Sequence, residues 1–233
     1  MTGKGNYKGT ASKTFKIVEW SGANKIPVSA KAPYTCLSGG YMRVKVNGKY
    51  AKADSFISIS GWTITGKKAG KTTLYLFDAS GKQVGKKTVE VYVIHGKTFE
   101  FESSVDKNYV LDIQGASKKD GAQMIIYKRN NGANQRYQSY LQSDGTYAIR
   151  SVNSKKWLTV EAKTSKYVQQ WAWKGTKNQM WSLTVDSANR VTFVNTATNK
   201  CFDVQGGKTK NSAKMIVWQD NGGLNQKWKL NPK

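Results

Sequence analysis

The sequence predicts an all-β protein built from two units, a small β-sandwich followed by a larger unit of three repeats. Short segments that alternate apolar and polar residues are separated by Gly and Asn turns along most of the chain, which is the pattern of β-strands. Helical spacing of apolar residues is absent. In the second half of the chain one motif recurs three times, at intervals of 44 and 47 residues, which predicts a repeat architecture.

The strands expected in residues 24–95 each have one apolar and one polar face. They are Tyr41–Val46, which ends at an Asn-Gly turn, Thr72–Phe77 and Thr88–Val93. Segments that alternate in this way bury one face against a second sheet and leave the other face in water. This part is therefore predicted to be a small β-sandwich.

Residues 58–71 resemble the bacterial immunoglobulin-like modules of surface and secreted proteins. This resemblance implies an Ig-like β-sandwich with a spacer or adhesion role. By the same resemblance, residues 1–23 look like the tail of a preceding module or an N-terminal extension, so we expect the chain to be part of a longer polypeptide. His95 and Gly96 form the expected joint to the next unit, and so short a joint favours a fixed angle between the units.

Each repeat of the second unit contains three elements in the same order. The first is a strand with Asp or Thr at its third position: Val110–Gly115, Trp157–Glu161 and Cys201–Gly206. The second is an aromatic residue: Tyr127, Trp171 and Trp218. The third begins with an Asn-Gln pair seven positions later and ends on an aromatic residue: Asn134–Tyr137, Asn178–Trp181 and Asn225–Trp228. The first and third copies share the same internal spacing, and the middle copy is shorter.

A single copy of this repeat is too small to bury an apolar face by itself. Three copies of a few short strands are therefore expected to close around a threefold core. The residues predicted to fill that core are the apolar residue of each first element and the last aromatic of each third element: Leu111, Leu158, Phe202, Tyr137, Trp181 and Trp228.

These motifs resemble the ricin-type β-trefoil lectin family, whose hallmark is a Gln-x-Trp sequence repeated three times behind a Leu-Asp-Val-like strand. The resemblance covers residues 97–233 and implies a three-repeat β-trefoil with up to three shallow sugar sites. The chain departs from the family in two ways. The usual pair of cysteines in each repeat is missing, and Ile125 and Ile216 stand where a polar residue is common, which leaves the identity of the sugar open.

A sugar pocket needs a flat apolar platform and an oriented set of hydrogen-bonding groups. An aromatic face attracts the polarised C–H groups of a pyranose, a carboxylate accepts adjacent hydroxyls in charge-assisted hydrogen bonds, and an amide supplies a donor and an acceptor. The family pattern adds a Gln that braces the carboxylate.

Two repeats carry the complete set of groups. They are Asp203, Trp218, Asn225 and Gln226 in the third repeat, and Asp112, Tyr127, Asn134 and Gln135 in the first. The third repeat has the larger platform and is expected to be the better site. The middle repeat has Thr159 in place of the Asp, so we expect it to bind weakly or not at all unless Glu161 takes over the carboxylate's role.

The composition excludes several classes of site. Two cysteines and one histidine leave no ligand set for zinc or copper, so no metal and no cofactor is expected. Cys36 and Cys201 lie in different units and are expected to be free and buried. No run of about 18 apolar residues occurs, so no membrane span is predicted.

The positive charge is large but evenly spread. The formal net charge is +24, and residues 1–96 hold 16 Lys/Arg and 4 Asp/Glu while residues 97–233 hold 22 and 10, which leaves +12 in each part. A nucleic-acid partner is not expected, because no basic stripe interleaved with aromatics occurs. A spread positive charge favours attraction to acidic or cell-surface glycans.

The predicted function is non-catalytic carbohydrate binding by a monomer that is secreted or located at the cell surface. Among 14 acidic residues none forms an obvious catalytic pair, and His95 is the single histidine that could act as a base. Two alternatives stay open. The chain could be a structural or protein-binding adhesin module, or the accessory binding module of a glycoside hydrolase whose catalytic domain lies outside it.

Overall fold

The structure, a computed structural model, describes residues 21–35 and 39–233. The predictions for residues 1–20 and for Cys36 lie outside this part of the chain. The described residues form β-strands joined by turns and by three-residue 3-10 helices. Among them, no helix has the length and apolar character needed to cross a bilayer.

Within residues 21–35 and 39–94, eight strands precede the joint at His95. They are β1 (Lys25–Pro27), β2 (Lys31–Pro33), β3 (Tyr41–Val46), β4 (Lys49–Ala51), β5 (Ile57–Ser60), β6 (Thr63–Gly66), β7 (Gly70–Phe77) and β8 (Gln83–Tyr92). Twelve strands follow the joint. They are β9 (Thr98–Ser103), β10 (Tyr109–Ile113), β11 (Met124–Lys128), β12 (Tyr137–Leu141), β13 (Tyr147–Ser151), β14 (Trp157–Val160), β15 (Val168–Trp171), β16 (Trp181–Val185), β17 (Val191–Asn195), β18 (Lys200–Val204), β19 (Ala213–Trp218) and β20 (Trp228–Pro232).

Six strands after the joint close into a barrel in which each strand pairs with two neighbours. The order around the barrel is β9, β12, β13, β16, β17, β20 and back to β9, and every pairing is antiparallel. The other six strands form three hairpins, β10–β11, β14–β15 and β18–β19. Each repeat thus supplies two strands to the barrel and two to a hairpin, which confirms the predicted three-repeat β-trefoil.

The core of the trefoil contains the six residues predicted from the repeat. Each of them is at most 3% exposed: Leu111, Leu158, Phe202, Tyr137, Trp181 and Trp228. The ring of Phe202 lies 5.2 Å from that of Trp228 and 5.5 Å from that of Trp181, measured between ring centroids. Full burial of such a side chain stabilises a fold by about 2–3 kcal/mol, so these residues carry the stability that the missing disulfides would supply. Cys201 is free and buried, as predicted.

The part before the joint contains a five-stranded sheet in the order β1-β8-β7-β3-β4, with β1 and β8 parallel and the other pairs antiparallel. A second group, β2-β6-β5, is antiparallel. Buried side chains from both groups, such as Met42, Ile64 and Leu76, belong to one apolar cluster. This arrangement is compatible with a sandwich, and the immunoglobulin-like resemblance of this part stays a prediction.

Several contacts join the first part directly to the trefoil. Strand β2 pairs in parallel with β16, with Lys31 opposite Thr184. The backbone N–H groups of Asn24 and Lys25 donate to Oδ1 of Asn189 at 2.9 and 3.0 Å. The hydroxyl of Tyr147 donates to the carbonyl of Val28 at 2.7 Å. The two parts are therefore connected through backbone and side-chain hydrogen bonds as well as through the chain itself.

Candidate functional site

Each hairpin of the trefoil places one polar residue of its first strand, Asp112, Thr159 or Asp203, next to a following 3-10 turn. In the third repeat, Asp203 of β18 pairs with Ile216 of β19, and the turn Leu224–Gln226 returns the chain to the same place. A turn at Asn221 leads into it, because the side chain of Asn221 accepts a hydrogen bond from the N–H of Gly223 at 2.8 Å. Residues far apart in sequence thereby meet at one end of the hairpin.

Asp203 is held by two amide side chains. Nδ2 of Asn225 and Nε2 of Gln226 donate to its Oδ2 at 2.7 and 2.8 Å. Gln226 also donates to the carbonyl of Gln219 at 2.8 Å and accepts from the N–H of Asn221 at 3.0 Å. Gln226 is fully buried and therefore braces both the carboxylate and the turn, as the resemblance implies. Both hydrogen bonds that Asp203 accepts in the described structure go to Oδ2, so Oδ1 keeps its capacity as an acceptor.

A glycine makes room for the amide of this site. A Cβ atom added to Gly223 would stand 2.8 Å from Oδ1 of Asn221 and would collide with Oδ1 of Asn225. Gly132 is in the same position relative to Asn130 and Asn134 in the first repeat. These two glycines appear in the sequence as ordinary turn residues, and only the structure shows that they border the site.

Trp218 completes the third-repeat set with a platform that is 50% exposed. Trp218 and Asp203 line the same concavity, whose volume is about 510 Å³. The lining residues are Lys166, Asp203, Gln205, Gly206, Gly207, Ile216, Trp218, Asn221 and Asn225. An acceptor, an amide and a flat apolar ring therefore converge on one space, which is what the recognition of a pyranose requires.

Burial sets the electrostatics of the carboxylate. Desolvation raises the pKa of Asp203 above its ordinary value of 3.8, and the hydrogen bonds from Gln226 and Asn225 offset only part of this rise. The pKa of Asp112 is raised for the same reason, with Gln135 and Asn134 as the opposing donors. Asp203 and Asp112 thus share the same burial and the same two kinds of amide donor, as their equivalent positions in the repeat predict.

The first repeat reproduces the hydrogen bonds of the third. Asn134 and Gln135 both donate to Oδ2 of Asp112 at 2.9 Å. Gln135 also accepts from the N–H of Asn130 at 2.9 Å. Tyr127 is 37% exposed and provides a smaller platform than Trp218. The structure therefore joins Asp112, Asn134 and Gln135 by hydrogen bonds, and it places Tyr127 opposite Val110 on the partner strand of the same hairpin.

The middle repeat has a different arrangement. Gln179 donates to the hydroxyl of Thr159 at 3.0 Å, and Asn178 turns away to donate to the carbonyl of Val160. Its concavity measures about 100 Å³ and includes Lys174, whose Nζ lies 5.2 Å from the centroid of the Trp171 ring.

Glu161 does not restore the missing carboxylate of the middle repeat. It accepts a hydrogen bond from Thr164 at 2.6 Å, and it is not one of the described residues that line this concavity. These features favour the prediction that the site of the middle repeat is weak or silent.

Lys166 was not predicted from the sequence as a site residue. It belongs to the middle repeat but lines the concavity of the third repeat, because its carbonyl accepts a hydrogen bond from the N–H of Val217 at 2.8 Å. A comparison of the three copies singles out Lys166, since the equivalent residues, five before each platform aromatic, are Ala122 and Ala213, but it does not show which pocket the residue lines.

A protein-family model for the ricin-type beta-trefoil lectin domain matches residues 97–228. No curated protein matches the chain. Among solved structures, the chain is similar to ThreeFoil, a designed threefold-symmetric protein, with 31% identity and a TM-score of 0.54 over 57% of this chain and 97% of that one. It is also similar to the ricin B-like lectin of Macrolepiota procera in complex with lactose, with 22% identity and a TM-score of 0.52 over 61% of this chain and 99% of that one.

A third similar structure is 1,3Gal43A, an exo-β-1,3-galactanase from Clostridium thermocellum, with 20% identity and a TM-score of 0.57. The match covers 92% of this chain and 45% of the galactanase. At these identities the lectin and the galactanase support the fold alone. The family model, in contrast, covers more than half of the 233 residues and includes all three repeats. The chain therefore belongs to the ricin-type β-trefoil lectin domain family.

Proposed function

We propose that this chain binds glycans without chemical conversion, through the pockets of the third and first repeats. The ricin-type domain implies carbohydrate binding and is generally non-catalytic. The observation that carries the assignment to specific residues is the convergence of Asp203, Asn225 and the exposed ring of Trp218 on one concavity. The second proposed pocket is that of Asp112, Asn134 and Tyr127, because Asn134 donates to Asp112 as Asn225 does to Asp203 and Tyr127 is the exposed aromatic at the equivalent position.

The proposed binding mode follows from the chemistry of these groups. A pyranose lies with its C–H face on the ring of Trp218, and two adjacent hydroxyls donate to the ionised carboxylate of Asp203. Because Nδ2 of Asn225 already donates to Asp203, Oδ1 of Asn225, which lies beside Gly223, is the atom of this amide that accepts from a sugar hydroxyl. Each pocket is open and shallow, so single-site affinity is weak. Two pockets on one body gain about 10²–10⁴ in avidity when a branched or surface glycan matches their spacing.

Galactosides are the first ligands to test. The similar structures include a lectin complex with lactose and a galactanase, and both names refer to galactose-containing sugars. We further propose that the chain acts as part of a larger secreted or cell-surface bacterial protein, in which residues 24–95 are an Ig-like spacer. The similarity to part of the galactanase supports the alternative of an accessory module beside a hydrolase.

The experiment uses a glycan array and calorimetric titration with the full chain. Asp203→Asn and Asp112→Asn each remove one carboxylate, and the double variant removes both. Each single variant is expected to lose binding at its own site by about 10–100-fold, because charge-assisted hydrogen bonds of about 1.5–3 kcal/mol are lost. Asp144→Asn is the matched control, since Asp144 caps a turn at Thr146 away from both pockets.

The outcome distinguishes binding from a structural role. Glycan binding that disappears in the double variant and persists in the control supports the proposal. A chain that binds no glycan at high concentration, with its fold intact, supports a structural or protein-binding module instead.

A further inference from the structure

Lys166 lines the concavity of the third repeat, at a sequence position where the other two repeats have alanine. Lys166 is half-buried and lines this concavity together with Asp203 and Trp218. It comes from the neighbouring repeat, where the bridge between Tyr167 and Ile216 brings the two hairpins into contact.

The pseudo-threefold symmetry shows that this lysine is a local feature and not part of the repeat. The equivalent bridges pair Gln123 with Gln169, and Lys214 with Ile125. Lys166 comes immediately before Tyr167 in the middle repeat. The residue at the equivalent position is Ala122 in the first repeat and Ala213 in the third. The first repeat therefore has a buried alanine, Ala213, at the position where the third-repeat concavity is lined by a lysine.

Lys166 also has no carboxylate partner in the described structure. The ion pairs of the described residues do not include Lys166, and its Nζ lies 5.6 Å from the ring centroid of Tyr167. Nζ of Lys214 lies 5.2 Å from the same ring. Two cations thus flank one tyrosine beside the mouth of the pocket. A lysine that lines a concavity and has no carboxylate partner attracts an anionic ligand group.

We infer that the third-repeat pocket prefers a sugar that carries an anionic group, a carboxylate or a sulfate, on the side of the ring that faces Lys166. This inference rests on the proposed function, because the neutral hydroxyls of the same sugar are bound by Asp203. The anionic group must lie on the opposite side of the ring from those hydroxyls, since two carboxylates close together repel each other. The first-repeat pocket, with Ala213 at the equivalent position, has no such preference.

The test compares three probes on the full chain in an Asp112→Asn background, so that the first-repeat pocket does not contribute. The probes are methyl galactoside, methyl galacturonide and galactose 6-sulfate, and affinity is measured by calorimetry or NMR titration. The acidic probes are expected to bind on the order of fivefold more tightly than the neutral one, the effect of a partly exposed ion pair of about 1 kcal/mol. The two acidic probes distinguish a carboxylate from a sulfate ligand.

Lys166→Met keeps the length of the side chain and removes its charge. It is expected to abolish the preference for acidic probes while neutral binding stays within about twofold of the parent. The matched control is Lys163→Met, which makes the same change in net charge on an exposed residue of the same loop and is expected to preserve the preference. Higher salt should weaken acidic binding in the parent and have little effect on Lys166→Met.

Failure of the inference differs from failure of the proposed function. If the neutral probe binds and Lys166→Met leaves all affinity ratios unchanged, or lowers neutral and acidic binding equally, the inference is wrong and the lectin function stands. If none of the three probes binds to the folded chain, the proposed galactoside function and this inference are both overturned.

Discussion

Asp203 and Asp112 are only 2% and 3% exposed, and burial raises the pKa of both carboxyl groups. Two amide donors offset part of this effect in each case. The charged form is therefore less favourable in the folded chain than in the unfolded chain, and each carboxylate costs stability at neutral pH. Such a cost is common where a group serves ligand binding, because stability and function make different demands on the same residue.

Replacing Asp203 by Asn should therefore separate stability from binding. The neutral amide keeps the shape of the carboxyl group and can still accept from Gln226 and Asn225. We expect a melting temperature equal to or above that of the parent chain, measured by scanning calorimetry at neutral pH, together with loss of sugar binding at the third repeat. A clear drop in melting temperature would show that the carboxylate has a structural role.

The raised pKa also predicts how sugar binding depends on pH. The ionised carboxylate accepts the sugar hydroxyls, so binding is lost as pH falls through the pKa of Asp203. This pKa is raised, and the loss in affinity should have its midpoint above the ordinary value of 3.8.

The stability of the fold should respond to Asp203 in the opposite direction. The folded chain binds this proton more tightly than the unfolded chain, so the contribution of Asp203 to stability increases as pH falls from the raised pKa towards 3.8. The difference in unfolding free energy between Asp203→Asn and the parent isolates this effect and should shrink on acidification. A difference that is constant with pH would contradict the prediction.

At the scale of the elements, a buried glutamine connects each hairpin to the turn that precedes its last barrel strand. Gln135, Gln179 and Gln226 are fully buried, and each accepts a backbone N–H and donates to a backbone carbonyl. The third partner is Asp112 or Asp203 in two repeats and Thr159 in the middle one. The same brace therefore supports the fold in all three repeats and a carboxylate in only two.

Gln226→Ala and Gln179→Ala should have equal effects on stability and different effects on binding. Each removes the side-chain partner of one backbone N–H and one backbone carbonyl, at a cost of about 1–3 kcal/mol in unfolding free energy. Gln226→Ala should also weaken sugar binding, because Asp203 loses a donor and its orientation. Chemical denaturation and titration of both variants check this. Equal losses of binding would show that the effect is a general consequence of instability.

At the scale of the whole molecule, the trefoil and the first part share hydrogen bonds that lie far apart in sequence. Asn189, in the turn before β17, accepts from the N–H groups of Asn24 and Lys25, which are more than 160 positions away. Its φ angle of 60° lies in the left-handed region that Asn and Gly adopt more readily than other residues. The backbone conformation of this turn thus presents the side chain to the first part.

Asn189→Gly should weaken the connection between the two parts while keeping the turn. Gly permits the same φ angle, so only the two hydrogen bonds are lost, about 1–2 kcal/mol. We expect faster hydrogen exchange in β1 and its partner β8, with little change in the hairpin β10–β11. Asn199→Gly is the control, because Asn199 has a φ angle of 53° in a turn of the trefoil. Equal exchange in β1 for both variants would contradict a role for Asn189 at the junction.

Much of the trefoil could be predicted because its information is local and repeated. The spacing of Asp203, Trp218 and Asn225 recurs in the first repeat, and chance does not place three groups at equal intervals twice. The first part was harder to predict. Strand β8 begins at Gln83 and not at Thr88, because residues 83–87, which include Gly85 and two lysines, are drawn into the sheet by pairing along β7 and not by their own propensity.

The sequence by itself determined the number of repeats and the residues of the threefold core, and it supplied the two sets of candidate site residues, because each is a pattern of side chains within one repeat. Only the tertiary structure decided which contacts form between repeats and between the two parts of the chain. It placed Lys166 of the middle repeat in the pocket of the third, and it joined β2 to β16. Such contacts depend on how elements pack in space, and no spacing along the chain encodes them.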